Sequence, residues 1–351
     1  MTLPRHTPLP DVPASTGEDA LDVSDVLAEV EVRLRAQVAS SSRFVEDAAR
    51  YLMDAGGKRF RPLLVALCAN FGDPADPRIP DAGVVVELVH LATLYHDDVI
   101  DEATVRRGTA SANLRWDNTV AILTGDYLFA RASELSADLG VEVTRIMAQT
   151  IATLCEGQIR EVQGSRGALP PGIPTLDADL DHYLEVVSEK TASLIATSCR
   201  LGALLSGCPP SEVEAAARYG WNLGMAFQLA DDILDVVSDH EQSGKTPGTD
   251  LREGIRTIPV LYALEADPGG ELAQLLDSDE IGDDVVMRAL QLLRGSPALD
   301  RSRELAAHYA RAASHSLGAF CSERQGTGSA LRSQAAQALR QLAHFTTIRT
   351  G

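Results

Sequence analysis

Apolar residues recur at three- and four-residue intervals along nearly the whole chain, in segments such as Val26 to Val38, Val84 to Ile100 and Val143 to Val162. Strand-type alternation is almost absent, so the pattern predicts an all-α protein. Turn-forming residues punctuate it at FGDPADPRIP (71–80), 164–181, GCPPS (207–211), 239–254 and ADPGG (266–270). No fixed-period repeat is visible. Two segments depart from the ordinary amphipathic pattern. GVVVELVHLATLYHDDVID (83–101) is apolar nearly all round, which marks a central helix, yet it ends in Asp97, Asp98 and Asp101. RYGWNLGMAFQLADDILDVV (218–237) repeats the arrangement and ends in Asp231, Asp232 and Asp235.

Composition narrows the classes open to such a bundle. Of 351 residues 45% are hydrophobic and 23% charged, enough for a large core. The formal charge of -19 has the wrong sign for holding a phosphate backbone, which argues against nucleic acid as a partner. Four prolines lie in residues 1–20, which read as a flexible leader before one domain at 21–351. No run approaches ~20 uninterrupted apolar residues, so a cytoplasmic location is expected. Five cysteines are scattered singly and read as reduced thiols. Among 31 basic residues only Lys58, Lys190 and Lys245 are lysines, each beside glycine or small polar residues. A compact ammonium in such places suits a diphosphate in a tight pocket.

The paired aspartates carry the chemistry. At 100° per residue, positions i and i+4 share a helix face and i+1 flanks them, so each DDxxD crowds carboxylates at one helix end. Like charges on a buried helix repel and cost desolvation unless a cation neutralises them. Carboxylate oxygens without a nearby thiol suit a hard ion, and Mg²⁺ is normally held by one or two carboxylates together with substrate phosphates and water. A magnesium diphosphate is the implied ligand, against the plainer reading of each motif as a solvated acidic helix end.

HDDVIDEATVRRG (96–108), FQLADDILDV (227–236), GGKRFRP (56–62), GDYL (125–128), EKTASL (189–194) and GKTPGTD (244–250), in this order over about residues 25–349, resemble the all-trans polyprenyl diphosphate synthase family. The resemblance implies the isoprenoid synthase fold, a single large helical bundle around a central cavity. It implies a homodimer that condenses isopentenyl diphosphate onto an allylic diphosphate. It also implies about three Mg²⁺ between Asp97, Asp101 and Asp231, with Asp98, Asp232 and Asp235 as further ligands or their supports. By the same resemblance Arg106, Lys190 and Lys245 hold the allylic diphosphate. Gly57, Lys58, Arg61, His90 and Arg107 form the isopentenyl diphosphate pocket. Thr191, Gln228 and the backbone carbonyl of Lys190 face the allylic cation, and the departing diphosphate takes the proton. The chain departs from the family where EGK is common: here Glu253 and Gly254 are followed by Ile255 and Arg256.

Chain length follows from the residues beneath the first aspartates. One helical turn rises ~5.4 Å, about one extended isoprene unit. In short-product relatives an aromatic residue four or five positions before the first aspartate closes the tunnel. Here those positions hold Ala92 and Thr93, so the tail is expected to stop deeper, against Leu88 or against Met147, Ile151 and Leu154. A product of about seven to ten units (C35–C50) is expected, suited to a respiratory quinone, with transient membrane association for its release. The alternatives are a short-chain farnesyl or geranylgeranyl synthase, a terpene cyclase, and a non-catalytic synthase subunit. A cyclase has no use for GGKRFRP, and a non-catalytic subunit has none for two intact DDxxD motifs.

Overall fold

The computed structural model describes residues 23–164, 179–238, 247–278, 282–320 and 329–348. The leader at 1–20 and Lys245 lie outside the described residues. The chain runs through α1 (Ser24–Gln37), α2 (Arg43–Asp54), α3 (Phe60–Ala69), α4 (Ile79–Ile100), the strands β1 (Val105–Arg106) and β2 (Thr109–Ala110), and the short α5 (Ala112–Arg115). It continues through α6 (Asn118–Asp138), α7 (Val141–Gly164), α8 (Leu180–Val186), α9 (Ser193–Leu205) and α10 (Pro210–Val237). Shorter helices follow, then two longer ones at Ala298–Ser316 and Ser329–Ile348.

α4 is apolar all round because every side of it is covered, by α1, α3, α6 and α9. Val84, Val85, Val86, Leu88, Val89, Leu91 and Ala92 have no exposed surface. Burying each Val or Leu contributes about 1.5–3 kcal/mol, so α4 needs no solvent face. It starts a turn before the apolar run, with Pro80 in its first turn, where a missing N–H costs nothing. α10 likewise starts with Pro210 and packs between α9 and the helix Ala298–Ser316. Its small residues are what bring α9 and the turn before it close: a Cβ on Gly220 would lie 2.7 Å from Ala196 Cα in α9, and one on Gly224 2.5 Å from Cα of Ala192, the residue just before α9. α4 belongs to one apolar cluster with Met147 and Leu154, while α10 runs from a second cluster (Tyr219, Leu223) into a third (Leu229, Ile233). Among the described residues no helix is long and apolar enough to cross a membrane.

The hairpin is the one described sheet, and hydrophobic pattern could not reveal strands of two residues. Val105 pairs with Ala110 and Arg106 with Thr109, and the turn residues Arg107 and Gly108 both have positive φ, 52° and 77°. Between α8 and α9 the helix widens into a π turn, Val187–Ala192, which contains Lys190 and Thr191. A π turn inserts a residue and reorients the local carbonyls, and it is common at functional sites.

Candidate active site

A cavity of about 340 Å³ opens where α4, the hairpin, α7, the π turn, α10 and residues 250–257 converge. Asp97 and Asp101 line it from the end of α4, one turn apart on one face. Burial pushes the Asp97 carboxyl up to about 6, opposed by Lys190 and reinforced by Asp101. Asp101 is also raised, by burial first, with Lys190 again opposing. Lys190 donates to Glu161 of α7; burial works against its charge, but Glu161, Asp97 and Asp101 outweigh it and hold the ammonium above its ordinary value. Gly157 lets α7 approach: a Cβ there would lie 2.7 Å from the Lys190 backbone nitrogen.

On the α10 side a hydrogen-bonded chain crosses the site. Thr191 Oγ1 donates to Gln228 Oε1 at 2.9 Å, Gln228 Nε2 donates to Asp232 Oδ1 at 2.8 Å, and the Tyr183 hydroxyl donates to Asp232 Oδ2. Because the Thr191 proton is committed to Gln228, its lone pairs are left to face the cavity that both residues line. Burial pushes Asp232 up to about 7, partly offset by the Tyr183 and Gln228 bonds. Asp235 accepts the backbone N–H groups of Thr249 (3.2 Å) and Asp250 (3.3 Å) and so ties residues 248–250 to the end of α10.

The resemblance implies six aspartates as metal ligands or their supports, and their surroundings differ. Asp97 and Asp101 face the cavity with carboxylate oxygens, and Asp231 is half-buried on α10 beside Asp232. Asp98 has no exposed surface and turns away from the cavity to Arg106, whose Nε donates to it at 2.6 Å. Rotation by 100° from Asp97 is the cause. Asp235 is engaged by backbone N–H groups.

A second polar cluster lies up α4. His90 is held well below its ordinary pKa by burial and then by Arg61, Arg107, Arg59 and Arg106, so its imidazole is neutral. Burial lowers Arg61 to about 10, and its buried Nε has no hydrogen-bond partner. Arg107 donates to Leu52 O at 2.7 Å and to Gly56 O, and a Cβ on Gly57 would meet its guanidinium carbon at 3.1 Å. Lys58 is exposed on the same loop. Arg59 is tied into the scaffold by Glu31, by Glu87 at 3.0 Å and by Met53 O at 3.1 Å.

Sequence reasoning missed Glu87, Glu161 and Tyr183. Glu87 alone left a signal, a carboxylate within VVVELV; the other two come from segments without a motif. Of the chain-length positions, Leu88 and Ala92 have no exposure, while Thr93 is half-buried with its hydroxyl on His90 O at 2.8 Å. Thr93 therefore shares the Asp97 face, and Ala92 sits in the core behind it. Arg256, which follows the departure at Ile255, lines the cavity and pairs with Asp277 at 3.5 Å.

The donor set suits a hard divalent ion that completes its shell with phosphate and water. Among the described residues no group of three or more His, Cys, Asp or Glu side chains forms a metal cage, whereas Asp97 and Asp101 offer oxygens on one face. Metal binding requires the ionised carboxylate. With Asp97 at about 6, half-saturating Mg²⁺ is therefore expected to rise by up to tenfold per unit as pH falls below 6, readable by titrating Mg²⁺ at pH 5, 6 and 7.5. A requirement that stays flat over that range contradicts Asp97 as a ligand.

An all-helical bundle that places buried carboxylates beside fixed cations at the end of an apolar core defines a class of enzymes that handle apolar diphosphates. The profile of the Polyprenyl synthetase family matches residues 42–293, and the chain belongs to that family. It is 47% identical over 294 residues, 83% of this chain and 85% of the other, to a nonaprenyl diphosphate synthase of Mycobacterium tuberculosis. Its fold superposes with a TM-score of 0.83 on a polyprenyl synthase of Caulobacter crescentus complexed with calcium and isoprenyl diphosphate, at 34% identity over 94% of this chain and 96% of that one. A geranylgeranyl pyrophosphate synthase of Corynebacterium glutamicum gives 0.78 at 40% identity, over 94% and 96%. The isoprenoid synthase fold expected from the motifs is the fold observed, and the chain is a prenyltransferase.

Proposed function

We propose that this prenyltransferase adds successive isopentenyl units to an allylic diphosphate and releases an all-trans product of about seven to ten units for a quinone side chain. One observation carries the two-substrate reading: two separate clusters of cationic and polar side chains along a single face of α4. His90 and Asp97 are seven residues apart, close to two full turns and ~10 Å. Arg61, Arg107 and His90 crowd one end, and Asp97, Asp101, Arg106 and Lys190 the other.

Each group has a distinct duty. Asp97 and Asp101, with Asp231 of α10, would hold Mg²⁺, about three ions per site; bound there, the ions would supply positive charge to the departing diphosphate. Arg106 and Lys190, with Lys245, orient that diphosphate. The neutral His90 donates a hydrogen bond to the isopentenyl diphosphate without adding charge, and Arg61, whose buried Nε has no hydrogen-bond partner, supplies positive charge to it. Thr191, Gln228 and the Lys190 carbonyl present oxygen dipoles to the allylic cation. The exposed Ile122 and Leu123 on α6 and Leu114 on α5 support a homodimer interface. Long products are supported by the nonaprenyl relative. The 40% identity to a geranylgeranyl synthase favours the short-chain reading as the alternative.

Arg61→Ala is expected to raise KM for isopentenyl diphosphate at least ~30-fold while changing the allylic KM less than threefold, read from initial rates with one substrate saturating. Equal changes in both constants contradict two pockets. The reaction class is tested by counting inorganic diphosphate released against isopentenyl diphosphate consumed, with Mg²⁺ and farnesyl diphosphate. Elongation gives one for one; a cyclase releases diphosphate from the allylic substrate alone, and a non-catalytic subunit releases none.

A further inference from the structure

We propose that Tyr95 is a positioning residue for the isopentenyl diphosphate pocket: its hydroxyl pins the last turn of α2, and a carbonyl of that turn aims Arg107. The kinetic consequence of the pin rests on the two-pocket reading, its structural consequence on hydrogen bonds.

Tyr95 stands two residues before Asp97, a rotation of about 200°, so the two side chains leave opposite sides of α4. Asp97 lines the cavity, whereas Tyr95 has no exposed surface and joins the apolar cluster that holds Ala49, Leu52 and Met53 of α2. A tyrosine buried to that degree must find partners for its hydroxyl, and here both come from one turn of backbone. The hydroxyl donates to Ala48 O and accepts the N–H of Leu52 at 3.2 Å. An α-helix ordinarily joins these two groups to each other. A side chain inserted into the i→i−4 ladder is one of the few causes that set a helix's local path. Burial holds the phenol well above its ordinary pKa, so it keeps the proton that it donates.

The load lies on the other side of the same residue. The last carbonyls of a helix have no partner one turn on, and arginines take these. Arg107 Nη1 donates to Leu52 O at 2.7 Å and to Gly56 O, and Arg59 Nη2 donates to Met53 O at 3.1 Å. Leu52 therefore meets Tyr95 with its N–H and Arg107 with its carbonyl. Arg107 sits in the hairpin turn with φ of 52°, and burial lowers its pKa, the mark of a guanidinium that water does not surround. The carboxylate paired with it, Glu87, is 4.0 Å away, beyond hydrogen-bond reach, and Glu87 is engaged by Arg59 at 3.0 Å. An α2 end displaced by an ångström would thus carry Arg107 away from Arg61 and His90, the groups whose charge and pKa it influences. The allylic end draws on other supports, Asp98 for Arg106 and Glu161 for Lys190, so one pocket should feel the loss of the pin.

Tyr95→Phe tests this directly, because it keeps the ring and its packing and lets the Leu52 N–H close on Ala48 O, so the variant should fold. Initial rates with one substrate saturating should show KM for isopentenyl diphosphate raised at least fivefold, with the allylic KM and half-saturating Mg²⁺ within twofold of wild type. Since the effect passes through Arg107, it should vanish in an Arg107→Ala background, the double variant being no worse than Arg107→Ala alone. Deuterium exchange of amides 52–57, read without substrate, should accelerate at least fivefold. A Tyr95→Phe protein that does not fold, equal changes in both KM values, effects that multiply with Arg107→Ala, or unchanged exchange at 52–57 overturns the proposal. Wild-type protein that transfers no prenyl group, yet shows the faster exchange on substitution, defeats the two-pocket reading and upholds the pin.

Discussion

Asp97→Ala and Asp231→Ala are each expected to lower kcat by at least ~10³-fold at saturating Mg²⁺, because under the proposed mechanism each would remove an oxygen ligand from the ions that stabilise the departing diphosphate. The loss is specific to turnover. In the folded protein burial raises the Asp97 carboxyl from 3.8 to about 6, so between those values the folded state holds more protons than the unfolded one. Stability therefore falls as pH rises through this window, and at neutral pH the ionised Asp97 works against the fold. Asp97→Ala should consequently keep or raise the substrate-free Tm while abolishing activity, the trade-off expected of a site kept unfavourable for function. A variant with near-normal kcat, or one that loses activity only because its Tm collapses, contradicts the clamp.

The second large effect concerns product length. Thr93 lies one turn above Asp97 on the same face of α4 and is half-buried, while Ala92 has no exposure. Thr93→Phe is expected to shorten the products to about three or four isoprene units without large loss of the first condensation, since each turn of ~5.4 Å passes about one unit. Ala92→Phe should shorten them too, but at a stability cost of about 1–3 kcal/mol for overpacking the core around Leu88 and Leu91. Unchanged products from Thr93→Phe place the tail on another face of α4.

The sequence made the two central helices and their acidic ends legible, because a helix apolar all round that acquires aspartates conflicts with itself unless a cation resolves it. The face of α4 that meets the cavity was not legible, since periodicity disappears when every side is covered; hence Ala92 and Thr93 could not be ranked. The hairpin escaped because two-residue strands leave no alternation to read. Spacing set Asp98 beside the face that Asp97 and Asp101 share, but only the folded chain shows its carboxylate fully buried against Arg106. Glu161 and Tyr183 reach Lys190 and Asp232 from segments distant in sequence, so only the folded chain brings them together.

Chromatography of the dephosphorylated product made from farnesyl diphosphate, excess isopentenyl diphosphate and Mg²⁺ tests the central claim most directly. The account predicts a dominant all-trans alcohol of 35 to 50 carbons, the range of about seven to ten units expected when no aromatic side chain stands at Ala92 or Thr93 to stop the tail. Product that stops at fifteen or twenty carbons contradicts it.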